Sequence, residues 1–144
     1  MSEWVKAMGL DYGTARIGIA VSDDLGMLAH PLETVSAANR AAALNRIVEL
    51  VAKRGIRDLV IGCPLRLDGS EGSAVEKVRR FGKELVALLP ETIRLHEVDE
   101  SFSTIDAMAK LHQAGRKAHN VRGIIDQAAA VEILQRWLDR EAGL

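Results

Sequence analysis

Apolar residues recur along the chain in short blocks, and their spacing alternates between strand-like and helix-like periods. Val5 to Leu10 and Arg16 to Val21 are compact apolar runs joined by DYGTA, a hairpin-length turn, and both predict strands. Leu32 to Val35 predicts a third strand. It follows His30-Pro31, which places it near a sheet edge, because proline cannot donate to a ladder. Between Asn39 and Arg54 the period becomes helical: Leu44, Ile47, Val48 and Val51 fall at i, i+3, i+4 and i+7, with Gly55 as the stop. RDLVIGC, ending at Cys63, predicts a buried strand closed by Pro64, and PLRLDGSEGS a loop. Ser73 is the expected cap of a second helix to about Leu89, with Val75, Val78, Phe81, Gly82, Leu85 and Leu89 on one side. Ile93 to Val98 predicts a fifth strand and Ser103 to Ala114 a helix ended by Gly115. RKAHNVRG predicts a basic loop, and Ile124 to Arg140 the last helix. The order βββαβαβαα implies an α/β domain on a mixed five-stranded sheet flanked by helices.

Composition narrows this only slightly. The chain has 144 residues, 48% of them hydrophobic and 27% charged, so one globular domain over 1–144 is expected. Aromatic residues make up 3%, which leaves little scope for base stacking as a main binding mode. The net charge of −1 argues against a generic polyanion binder, so any nucleic-acid contact must come from local basic patches. The single cysteine, Cys63, excludes an internal disulfide framework and fits a reducing cytoplasm. Neither a secretory leader nor a membrane span is expected.

Candidate chemistry lies in the acidic residues at element ends. Asp11 ends the first strand, on the same face as Val5, Ala7 and Gly9. Its position alone does not choose between a turn carboxylate bonded to its own backbone and a site residue. Asp99 and Glu100 follow the fifth strand, where a helix-cap pair is the bland reading. Asp126 is more telling. Ala129, Ala130, Ile133 and Trp137 lie at +3, +4, +7 and +11 from it, so its carboxylate heads the apolar stripe and faces the sheet. Attraction to a helix N-terminus, worth about 0.3–1 kcal/mol, does not account for that inward direction. Inward carboxylates repel one another and are costly to ionise without a counterion. A divalent cation resolves this, and an oxygen-only donor set suits Mg²⁺ or Mn²⁺. His30, His96, His112 and His119 show no zinc-ligand spacing.

Four segments, DYGTARIGIAVSD, VIGCPLRLDGSEG, VDESFST and IIDQAAAVEIL, occur in an order that closely resembles the YqgF/RuvX family of pre-16S rRNA nucleases, also called Holliday-junction-resolvase-like. The resemblance spans about residues 5 to 138. It implies a ribonuclease-H-like fold and metal-dependent nuclease chemistry. It further implies Asp11, Glu100 and Asp126 as catalytic and metal-binding residues, with Asp99 able to replace or support Glu100. The reaction expected is in-line attack by a metal-activated water, leaving 5′-phosphate and 3′-hydroxyl ends. Trimming of the 5′ end of precursor small-subunit rRNA is the favoured role, in contact with a ribosome precursor. A branched DNA junction is the rival substrate, and it would call for a homodimer rather than a monomer because two symmetric cuts are needed. Two positions depart from the family pattern: Ser101 stands where an arginine is usual, and Cys63 where a leucine is usual. The missing guanidinium removes one expected phosphate contact.

Basic residues near these motifs are the candidate nucleic-acid contacts. Arg16 follows the first motif, and Arg66 lies in the glycine loop, whose opening onto a helix N-terminus suits phosphate. Arg116, Lys117, His119 and Arg122 precede Asp126; such a cluster is ordinarily a solvated face, and here it could clamp flanking phosphates. Two other readings remain open at this stage. DYGT before a hairpin also resembles the phosphate-binding start of sugar kinases and actin-like ATPases, though those need a second domain half. A non-catalytic nucleotide-binding module is the third reading, and it leaves the acids unexplained.

Overall fold

The computed structural model describes residues 6–64, 72–99 and 118–143, with backbone alone for 118–123. Five strands, β1 (Ala7–Tyr12), β2 (Arg16–Ser22), β3 (Ala29–Ser36), β4 (Asp58–Cys63) and β5 (Arg94–Asp99), form one sheet in the order β3-β2-β1-β4-β5. The two short connections make β1, β2 and β3 antiparallel neighbours. Helical crossovers through α1 (Arg40–Arg54) and α2 (Ser73–Ala87) make β4 and β5 parallel to β1. A third described helix, α3 (Ala118–Glu141), follows. This is the mixed α/β sheet of the ribonuclease-H-like fold.

Strand alternation sorts the side chains into two cores. Met8, Leu10, Leu59 and Ile61 face α1 and α2, meeting Ile47, Val51, Val78 and Phe81. Ala7, Ala20, Val60 and Val98 face α3, meeting Ala130, Ile133, Leu134 and Trp137. The helical stripes read from the sequence are the buried ones, with Val48 and Leu89 only partly buried at the margins. Asn39 caps α1 by accepting a bond from the Ala42 N–H at 3.0 Å, and Gly55 closes it in the left-handed conformation at φ 66°.

Several boundaries differ from expectation. β1 continues to Tyr12, so Asp11 lies within the strand, where ladder pairing to β2 persists. β3 begins at Ala29, before Pro31. The register shifts between Ile19 and Ala20 of β2, and the proline is tolerated because β3 is an edge. Gly72, not Ser73, is the N-cap of α2, and no side chain caps it; Ser73 is already helical. α3 starts at Ala118, six residues before the expected start at Ile124, so all of RKAHNVRG after its first two residues is helix rather than loop. The helix expected over 103–114 lies outside the described residues.

Candidate active site

Asp11 and Gly18 are directly opposite in the β1–β2 ladder, so their Cα substituents share a face. That face is covered by α3, and the helix sits unusually close. A Cβ built on Gly18 would lie 2.0 Å from the Asp126 carbonyl oxygen and 3.0 Å from its Cα. One built on Gly9 would lie 2.7 Å from the Ala130 carbonyl oxygen. Only glycine lets helix backbone rest on strand backbone at these two positions. The contact seats the Asp126 backbone on Gly18, the ladder partner of Asp11 near the carboxyl end of β1.

Polar bonds fix the helix in that register. The Gln127 amide donates to the Thr34 hydroxyl at 3.0 Å. Two turns on, Gln135 accepts from the Ala29 N–H and donates to the Met27 carbonyl, both at 2.9 Å. At the other side, Arg136 donates to the carbonyl of Asp99 at the end of β5. These bonds, all from residues that follow Asp126, anchor the helix that carries it.

The Asp126 carboxylate has a protein partner that sequence reasoning did not supply. Arg16 Nε donates to Asp126 Oδ2 at 2.7 Å, with the aspartate side chain 16% exposed and the arginine 37%. The counter-charge inferred from the sequence was a metal alone; a guanidinium covers one edge of the carboxylate as well. Arg16 and Asp126 are 110 residues apart in the chain, and no spacing signal could have paired them. Asp126 is the ninth residue of α3, beyond the first turn where the helix dipole acts, so the dipole account fails for a second reason.

The remaining expected residues divide cleanly. Asp99 ends β5 in register with Cys63. Alternation puts it with Leu95 and Glu97, on the face opposite Val98 and α3. It therefore does not share a face with Asp11 and Asp126. Glu100, Arg66, Arg116 and Lys117 lie outside the described residues, and Arg122 is described only as backbone within α3. Among the described residues no group of three His, Cys, Asp or Glu side chains is placed to hold an ion. Of the expected carboxylates, Asp11 and Asp126 are the two that the described residues place at the α3 face. Both are carboxylates, hard oxygen donors of the kind that divalent metal ions accept.

At the end of β1, on the face of α2, lies a cavity of about 240 Å³ lined by Tyr12, Gly13, Thr14, Pro64, Ser73 and Lys77, among others. It joins the β1–β2 turn to the first turn of α2. A hydroxyl from Thr14, another from Ser73 and the Lys77 ammonium group line it, a combination suited to a phosphoryl oxygen. Lys77 was missed in the sequence; its position one turn after Gly72 was the available signal. The Gly13 N–H donates to the Arg16 carbonyl at 2.9 Å, closing the turn that forms the cavity wall.

Comparison with known proteins adds an independent line. The chain is 44% identical over 137 residues to a protein of Mycobacteroides abscessus named as a pre-16S rRNA nuclease, covering 94% of this chain and 81% of that one. It is 41% identical over 136 residues to a Moorella thermoacetica protein of the same name, covering 94% and 96%. Among solved structures, Thermus thermophilus RuvC in complex with a Holliday junction substrate matches with a TM-score of 0.57 at 14% identity, over 96% of each chain. Fowlpox virus resolvase with Holliday junction DNA matches with a TM-score of 0.57 at 10% identity, over 95% of this chain and 99% of that one. At such identities the two structures speak to the fold alone. The sequence itself matches the RuvX family, described as Holliday junction resolvase, over residues 5–140, and the chain belongs to that family.

Proposed function

We propose that this nuclease is metal-dependent and matures the 5′ end of precursor small-subunit rRNA in the cytoplasm, with residues 1–144 acting as one catalytic domain. The observation that supports the reading is the Asp126 backbone seated on Gly18, the ladder partner of Asp11. Asp11, Glu100 and Asp126 would hold Mg²⁺ or Mn²⁺, with Asp99 at most in support. A bound divalent cation supplies activation of the attacking water and charge for the departing 3′ oxygen.

The chain's own residues do the rest. Arg16 orients the Asp126 carboxylate through its 2.7 Å bond and brings a cation to the edge of the site. Thr14, Ser73 and Lys77 line the cavity at the end of β1, where they would hold a phosphate next to the scissile one. Arg66, Arg116, Lys117 and Arg122 are the further candidates for gripping the RNA backbone.

The names of the relatives support precursor rRNA as substrate, and the description of the family supports a DNA junction as the alternative. Both are tested together. Purified protein is offered a precursor rRNA fragment and a four-way DNA junction, with Mg²⁺, with Mn²⁺ and with chelator, and Asp11→Asn serves as control. Metal-dependent cleavage of the rRNA at its 5′ side, lost in the variant, is the expected result. Paired symmetric cuts in the junction without rRNA cleavage would reassign the substrate and require a dimer. Cleavage of neither would defeat the nuclease reading.

A further inference from the structure

The end of the sheet opposite the acidic pair carries a second concave surface. A cavity of about 490 Å³ opens there, lined by Arg57, Asp58, Thr92 and Arg94. Arg57 immediately precedes β4 and Arg94 begins β5, and the Arg94 N–H donates to the Arg57 carbonyl at 2.9 Å. The backbones of the two arginines are thus bonded to each other, and both residues line the cavity. Both are exposed, and among the described residues neither guanidinium is held in an ion pair.

The one carboxylate in the cavity is already engaged. His96 Nε2 lies 2.9 Å from Asp58 Oδ1, and the His96 ring packs against Trp137 of α3 with centroids 4.8 Å apart. Asp58 is therefore turned toward its histidine, while the two guanidinium groups keep their full donor capacity. Two unpaired arginines and the Thr92 hydroxyl on one concave surface match the oxygens of a phosphate, which arginine forks bind well. No aromatic side chain lines the cavity among the described residues, so it offers nothing for a base to stack on. The recognition available is of backbone, without sequence preference.

We propose that Arg57 and Arg94 form a second phosphate-binding site, which holds the backbone of the nucleic acid at a distance from the bond being cut. The inference rests on the nuclease reading above for the identity of the polymer. Its geometry is set by the ladder. Ala7 is in register with Asp58, and Asp58 with Arg94, while Asp11 is four residues further along β1. That is roughly 13 Å along the strands, with two strand spacings of about 4.8 Å to the side. A substrate a few nucleotides longer than the catalytic site itself reaches both.

The test is equilibrium binding of a labelled single-stranded RNA of about 16 nucleotides, measured without divalent metal so that nothing is cut. Wild type is compared with Arg57→Ala/Arg94→Ala and with Arg94→Glu, all exposed positions whose replacement leaves the cores intact. The double variant is expected to bind roughly tenfold more weakly, with a slope of log Kd against log salt smaller by about 1 to 2. Arg94→Glu, which changes the local charge by the same two units, should weaken binding about as much. Unaltered Kd and salt slope in the double variant would overturn the site. A parallel titration with inorganic phosphate follows the arginine Nε–H resonances. Saturation there with RNA affinity unchanged would assign the cavity to a small free anion and overturn the backbone role. Absence of cleavage by wild type, by contrast, bears on the nuclease reading alone, because the binding measurement does not depend on it.

Discussion

Asn in place of Asp126 keeps the volume and removes the charge, so it separates chemistry from packing. Cleavage should fall by roughly 10³-fold, equivalent to several kcal/mol of lost transition-state stabilisation. The thermal midpoint should move by only a few degrees, because a pair whose arginine is 37% exposed contributes no more than about 1 kcal/mol. Steady-state kinetics and a melting curve on the same preparation check both halves. Glu33 makes a different prediction. Bonds from Arg46 hold its carboxyl below the ordinary value of 4.5, and the same guanidinium also reaches Glu49. The unfolded chain therefore takes up this proton first as pH falls. The stabilisation is complete above pH 4.5 and is lost as pH drops through the folded value. Glu33→Gln should lower stability by at most about 1 kcal/mol at pH 7, and the difference should close in acid. Urea melts at several pH values give the comparison, and a gap that widens in acid would contradict it. At this scale the sequence was legible where a residue's role follows from local period: Asp126 announced its inward face through the apolar positions that follow it. Arg16 was read as a nucleic-acid contact because its partner is fixed by tertiary structure, which local period cannot report.

Helix α3 depends on two glycines that belong to other elements. Gly18→Ala would drive a methyl group into the Asp126 backbone, 2.0 Å from its carbonyl oxygen, with no flexible side chain to yield. The expected cost is about 1–3 kcal/mol from overpacking. Displacement of Asp126 should also reduce cleavage by at least about tenfold. Denaturant unfolding and single-turnover cleavage measure the two; normal activity in a stably folded Gly18→Ala protein would refute the link between helix docking and site geometry. Elements as such were easily read: the stripes of α1 and α2 and the turn chemistry at Asn39 and Gly55 are local signals. Their ends were not. β1 runs two residues beyond its apolar block because ladder pairing, not hydrophobicity, sets its end. α3 begins inside a segment whose Gly123 and basic residues argued for loop, and helix continuation overrides a glycine penalty of about 1 kcal/mol.

On the scale of the whole molecule, β1 and β4 lie at the centre of the sheet with a helical layer on each face, while β3 is an edge. Amide exchange should therefore be slowest in Met8–Leu10 and Leu59–Ile61 and markedly faster in Ala29–Ser36. Mass-spectrometric exchange would show it, and equal protection across the sheet would contradict the layering. The close seating of α3 on Gly18 carries a consequence for the order in which the molecule becomes competent. Asp11 is made among the first residues, but Asp126 arrives only after all five strands. Asp126 reaches the Gly18 backbone only when the late helix docks. With the site proposed above, a growing chain on the ribosome stays inactive until synthesis has passed that helix. Stalled chains ending before residue 118 should cleave nothing, however much of the sheet they have formed.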